Sequence, residues 1–243
     1  MNDYLALAYA PSTNKARDSA VVAFERWCTS TQREIWPSED TLCEYVAFLA
    51  NSGFYLSIKT YLSAINTYHK LQGHHDCLAN SFKLKTLQRG VKRAQAHAPR
   101  GKHPLTPVEL RRIRKTLDWS SSRDRTFWAC LVIGFWTFLR GGNLVPKSAS
   151  KFDANRHLSP LNMTVGNNVV FSLMKTKTVQ FAERILVLPL VALPGNELCP
   201  VSALVQMWDL CPLRKAGPLF VFSDGRGACV PLLHSKLNES MCC

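Results

Sequence analysis

The apolar positions of the first hundred residues recur with the period of an amphipathic helix, and polar capping residues stand where each helix would start. Ser12 or Thr13 is placed to cap a helix that buries Val21, Phe24, Trp27 and Cys28. Ser38 or Asp40 opens a second, with Leu42, Tyr45, Val46 and Leu49 spaced i, i+3, i+4, i+7. Ser57 opens a third, with Ile58, Tyr61, Leu62, Ile65 and Tyr68 on one side and Lys59, Thr60, Ser63, Asn66 and Thr67 on the other. Ser81 opens a fourth, with Leu84, Leu87 and Val91 inward and Lys85, Arg89, Lys92 and Arg93 largely outward.

Residues 98–105 hold two prolines and a glycine, which break any helix and mark a linker between a domain at 1–97 and a second at 106–243. The second domain starts on Thr106-Pro107-Val108-Glu109, a capping box with proline at the first helical position, followed by Leu110, Ile113 and Leu117 as the apolar face. From Phe127 to Leu139 the chain is apolar nearly all round, which predicts a buried helix closed by Arg140. β-Branched and aromatic runs predict a hairpin of strands at roughly 168–176 and 183–189. Cys199-Pro200 opens a helix running to Trp208, Pro218–Phe222 is short and extended, and Val230–Asn238 reads as one more helix. The fold class is therefore mainly α with a small β-sheet.

Charge sharpens this picture. The 243 residues carry a formal net charge of +13 and are 47% hydrophobic, enough for packed cores. Residues 83–115 hold eleven Lys and Arg against a single acid, Glu109. So concentrated an excess points to a polyanionic partner, of which nucleic acid is the commonest; the alternative is a merely basic protein. The polar face of the third helix fits a major groove or plain solvent equally well.

Nine cysteines without a CxxC pair read as reduced thiols of cytosol or nucleus, not as a disulfide framework. His74-His75-Asp76-Cys77 matches no zinc spacing and reads as a loop, so neither metal nor cofactor is expected. The N-terminus lacks the features of a signal peptide, and the longest apolar run is too short to span a bilayer.

Four phrases follow one another in order: Phe138-Leu-Arg-Gly-Gly-Asn-Leu-Val-Pro146; Lys151-Phe-Asp153 with His157-Leu158; Thr176-Lys-Thr-Val-Gln-Phe181 with Glu183-Arg184; and Leu198-Cys-Pro-Val-Ser-Ala-Leu204. Together they resemble the tyrosine recombinase (phage integrase) family, with a closer likeness to recombinases of DIRS-like and crypton-like transposable elements of animals. The resemblance implies an N-terminal helical core-binding (SAM-like) domain and an integrase-type catalytic domain. It implies a chemistry in which a tyrosine attacks a DNA phosphodiester, two arginines hold the phosphorane oxygens, and a hairpin lysine protonates the leaving oxygen. Arg140 matches the first arginine. Lys177 matches the hairpin lysine, with Lys175 the alternative, since a two-residue slip keeps the same strand face. Asn143 stands where many bacterial members carry an acid.

The departures matter as much. The family's His-x-x-Arg motif has no counterpart: His234-Ser-Lys-Leu237 puts leucine at the arginine position and falls in the segment that should precede the motif, so His234 reads as an ordinary helix residue. All six tyrosines lie at or before residue 68. The expectation is a C-terminally truncated catalytic domain in a catalytically inactive DNA-binding protein of recombinase descent. The alternatives are a fragment of an active recombinase, or an interaction protein that pairs with full-length relatives. The expected DNA contacts are Lys59, Lys85, Arg89, Lys92, Arg93, Arg100 and Lys102; the expected partners are double-stranded DNA and a second copy or a full-length recombinase, with no membrane, and the expected location is the nucleus.

Overall fold

The computed structural model describes residues 2–79, 81–95, 104–166, 168–176, 179 and 183–241. The chain divides into two compact units, Met1–Gly101 and Lys102–Cys243.

The first unit is helical: α1 (Asn2–Leu7), α2 (Pro11–Thr31), α3 (Glu39–Asn51), α4 (Ile58–Leu71) and α5 (Phe82–Ala94). The cap expected at Ser12 or Thr13 is overruled. Helix α2 starts on Ala10 with Pro11 at its first position, where the ring presets φ and removes one of the N–H groups a side-chain cap would satisfy. Helix α3 is capped by Ser38, whose Oγ accepts from Thr41 N at 3.2 Å. Ser57 precedes α4 as the last residue of a 3-10 turn and makes no side-chain cap bond. Ser81 caps α5 through Leu84 N and also donates to Glu39 Oε1. Lys83 pairs with Asp40 on the same turn of α3, and Gln95 Nε2 donates to the carbonyl of Ala50 at 2.9 Å, so α5 is tied to both ends of α3.

The core of this unit forms where the predicted apolar faces meet. Phe24, Trp27 and Tyr45 cluster, with the Tyr45 ring 4.9 Å from that of Phe24 and 5.0 Å from that of Trp27, above Leu42, Leu62, Ile65 and Leu84. Each such fully buried side chain contributes about 1.5–3 kcal/mol. Burial also pushes the Tyr45 hydroxyl pKa well above its ordinary value.

The second unit contains α6 (Pro107–Thr116), α7 (Ser122–Thr137), α8 (Gly141–Leu144), β1 (Met163–Val165), β2 (Val169–Leu173), β3 (Leu186–Leu190), α9 (Pro200–Leu210), β4 (Val221–Ser223), β5 (Cys229–Pro231) and α10 (His234–Met241). The capping box forms as read: Glu109 N donates to Thr106 Oγ1, and Thr106 N to Glu109 Oε2. Helix α7 is the central element. Every residue from Thr126 to Ile133 is buried, which is why its sequence is apolar on all faces. It packs against Ala203, Leu204 and Met207 of α9 and shares one core with Val169, Phe171 and Leu173 of β2 and Leu190 of β3.

The strands form two antiparallel sheets, β1-β2-β3 and β4-β5. In the first, Phe171 pairs with Met163 on one side and Leu188 on the other. The fold is mainly α with a small β component. After the apolar helix the structure differs from the sequence reading in the strands and the last helix. Strand β1 is additional, the two hairpin strands are shorter than expected, and Cys229–Pro231 is a strand, so that the last helix starts at His234. Among the described residues no helix is long and apolar enough to cross a membrane.

Among the described residues each unit buries one histidine. His69 lies beneath Trp36, ring centroids 4.9 Å apart, with Nε2 unpartnered. His157 Nδ1 sits 3.0 Å from both the amide and the carbonyl of Asp153. Burial lowers both pKa values below the ordinary 6.5, with His74 adding to the effect at His69 and Arg156 at His157. The unfolded chain therefore takes up protons that the folded chain resists. Stability is intact above about pH 6.5 and falls as pH drops from there through the lowered folded values. Urea midpoints measured from about pH 7.5 to about 5.5 (about one unit either side of 6.5) should decline, and His69→Gln should flatten the decline of the first unit alone; an unchanged profile in that variant would rule out His69 as its source.

Candidate nucleic-acid interface

Helix α5 carries a one-sided basic stripe. Lys85, Arg89, Lys92 and Arg93 are spaced i, i+4, i+7, i+8 and are all exposed, while Leu84 is buried and Leu87 and Val91 pack on the core. Among the described residues no salt bridge involves any of the four. Lys83, one turn earlier, is instead held by Asp40. A row of exposed, unneutralised cations on a straight helix face matches the charge a phosphate backbone presents.

Helix α4 contributes less than its sequence suggests. Lys59, Thr60 and Ser63 are exposed, but two members of its polar face serve the fold. Asn66 Oδ1 accepts from Cys77 N at 3.1 Å and closes the loop after α4, and Thr67 Oγ1 donates back to Ser63 O at 2.8 Å. That loop holds the His-His-Asp-Cys run. There the His74 ring lies tilted against Trp36, centroids 3.9 Å apart, and Asp76 pairs with Lys70 at 2.6 Å.

The basic run continues into α6 in sequence but not in character. Arg111 and Arg114 both reach Glu197, at 3.9 and 3.6 Å, and the Arg114 guanidinium also lies 4.8 Å over the Trp119 ring. These two arginines are committed within the second unit.

The backbone segments that carry a second set of cations, Arg140, Arg156 and Lys175, meet beside Gly141-Gly142. Arg140 does not close α7 as the apolar run suggested. The helix stops at Thr137 because Phe138 turns left-handed, φ 53°, and Arg140 is the extended residue on which α8 begins. Its carbonyl accepts from Asn143 N at 2.7 Å and Leu144 N at 3.3 Å. Leu144 is buried, and its Cδ1 would lie 2.7 Å from a methyl placed on Gly134, so Gly134 of α7 admits the turn.

Asn143 then organises what surrounds Arg140. It is 5% exposed, and its Nδ2 donates to the carbonyls of Arg156 at 2.9 Å and Lys175 at 3.3 Å. Its own carbonyl accepts from Leu158 N at 3.0 Å, and Lys175 N donates to Asn155 O at 2.8 Å. The side-chain and backbone N–H groups of this one residue thus gather the backbone segments bearing Arg140, Arg156 and Lys175. The Arg156 guanidinium approaches Gly142, where a methyl would lie 3.9 Å from Nη2. The His234 ring, at the start of α10, covers Gly141, where a methyl would lie 3.2 Å from Nε2. Arg140, Arg156 and Lys175 are exposed, and among the described residues no salt bridge involves them. Two guanidinium forks and an ammonium carried by neighbouring backbone segments suit an oxyanion.

Gly141 fits this arrangement closely. Its helical φ tolerates a side chain, but a methyl there would press on the His234 ring at 3.2–3.3 Å, so the ring must give by a few tenths of an ångström. Gly141→Ala should cost the second unit about 1 kcal/mol. In a His234→Ala background the same change should be neutral or stabilising by up to about 1 kcal/mol, because alanine is the better helix former. Urea denaturation of the four proteins in this cycle measures the coupling, and additive effects would contradict the contact.

Lys177, Arg100 and Lys102 lie outside the described residues. Lys175, the alternative weighed for the hairpin lysine, accepts through its backbone carbonyl from Asn143. Arg156 and His234 were not read from the sequence as members of the cluster. The signal they left was the glycine pair after Arg140, which marks a close approach without naming what approaches. No protein-family model matches the chain, and no curated protein matches it.

Proposed function

We propose that this protein binds double-stranded DNA, that it derives from a tyrosine recombinase, and that these 243 residues do not cut DNA themselves. The observation that carries the binding is the stripe of Lys85, Arg89, Lys92 and Arg93, exposed on one face of α5 and, among the described residues, without a salt bridge. The cluster of Arg140, Arg156 and Lys175 supports a second phosphate contact on the other unit. Its first arginine and hairpin-side lysine also support the recombinase descent. A nuclear location and self-association, or pairing with a full-length recombinase, belong to the same reading.

The absence of cleavage follows from the nucleophile. Covalent strand transfer needs a hydroxyl at the scissile phosphate. No tyrosine follows Tyr68, and Tyr45 is sealed in the core of the first unit. A guanidinium and a lysine without the nucleophile hold a phosphate but open no covalent path. Incubated with a nicked duplex and stopped with SDS, the protein should retain DNA before the detergent and none after it. An SDS-stable adduct would overturn the inactivity, and a failure to retard DNA at low salt would overturn the binding.

A further inference from the structure

Cys211 and Cys229 lie with Sγ atoms 3.4 Å apart, at the end of α9 and on β5. Cys211 is 1% exposed, whereas Cys229 is open to solvent. The pair therefore combines an accessible thiol with a sheltered one already in van der Waals contact, the arrangement in which a first sulfur is oxidised and a second resolves it. Neither belongs to the cation groups described above. We propose that Cys211 and Cys229 form a reversible disulfide that clips the β4–β5 hairpin to α9 in response to small-molecule disulfides such as oxidised glutathione.

The exchange balances in two steps. The Cys229 thiol loses its proton and attacks one sulfur of the glutathione disulfide, whose S–S bond breaks and whose other half leaves as a thiolate that takes up a proton. The Cys211 thiol then loses its proton and attacks Cys229 Sγ, expelling the second glutathione. Two cysteine thiols are oxidised, and one glutathione disulfide is reduced to two thiols. Burial, with the neighbouring Cys229, pushes the Cys211 thiol up to about 11, which leaves the exposed Cys229 as the thiol that attacks first.

The clip would act on the cation cluster through the chain. Leu232 N, just after β5, donates to Phe220 O at 2.9 Å, and His234 N donates to Pro146 O at 3.0 Å. Fixing Cys229 to α9 thus fixes the lead into α10, whose His234 covers Gly141 beside Arg140.

The test equilibrates the full chain with mixtures of reduced and oxidised glutathione, blocks free thiols and maps the cross-links. Trypsin cuts at Arg214, Lys215 and Arg226 separate the two cysteines, so a linked peptide identifies the bond. The expected result is a single linkage joining Cys211 to Cys229, reversed by dithiol, with the thermal midpoint raised by roughly 6–12 °C for a loop of this length. Cys229→Ser, at an exposed site, keeps the fold and should abolish both effects. Glutathione persisting on Cys229 while Cys211 stays open to alkylation after unfolding, or a different cysteine pair oxidising first, would overturn the proposal.

Discussion

Asn143→Asp lowers the stability of the second unit by about 4 kcal/mol at neutral pH, more than any other single change considered. The reason is the polarity of the site. Both neighbours of the Asn143 Nδ2 amide are backbone carbonyls, those of Arg156 and Lys175, and both accept. A carboxylate there would face two acceptors from inside a buried turn, with no donor gained. Asn143→Ala removes the donors without adding charge and costs about 2 kcal/mol, the penalty of leaving buried carbonyls unpaired. Urea denaturation followed by far-ultraviolet circular dichroism orders the two. The aspartate variant should regain part of its stability on acidification, because a protonated carboxyl can donate once; an aspartate variant as stable as the alanine variant at pH 7 would refute the donor requirement. The result is informative because the surroundings here specify an amide and not an acid.

The second large effect concerns binding. Replacing Lys85, Arg89, Lys92 and Arg93 together by glutamine keeps helix propensity and removes four exposed charges from α5. Duplex affinity should fall by about 10²–10³-fold near 0.1 M salt, and the dependence of log affinity on log salt should flatten by about 3 to 4. Lys83→Gln provides the contrast. Lys83 is already paired with Asp40, so its loss should change affinity by about twofold or less. Equal losses from Lys83 and from the four-residue variant would mean that net charge, not the stripe, governs binding.

Much of the fold was legible because local rules agree with packing. The Thr106-Pro107-Glu109 box, the Ser38 and Ser81 caps, and the apolar faces of α3 and α4 each follow from neighbours a few residues away. What could not be read depends on distant or unusual backbone. Phe138 is 89% exposed and left-handed, a conformation that composition assigns to glycine, so the apolar run hid the end of α7 and the true setting of Arg140. Strand β1 is three residues long, and its position is fixed by pairing with β2, not by its own pattern. Cys229–Pro231 became a strand through its partner Val221–Ser223.

The candidate site divides in the same way. The stripe on α5 was written in the spacing of four residues. The cluster around Arg140 was half visible: Arg140 carried a motif and Lys175 was the alternative to Lys177 within it, whereas Arg156 joins through an amide thirteen positions away and His234 through a glycine that a methyl would crowd. Asn66 shows the opposite error, a polar residue on an apparent reading face that spends its acceptor on Cys77.

The central claim is that exposed, unpartnered cations on this chain hold duplex DNA by its phosphates. The most direct test measures the affinity of the unaltered full chain for a duplex across a salt series. The account predicts a linear fall of log affinity against log salt with a slope of about −4 to −6, the signature of roughly five to seven neutralised phosphates, and little difference between unrelated sequences. An affinity that barely changes with salt, or no binding at low salt, would contradict it.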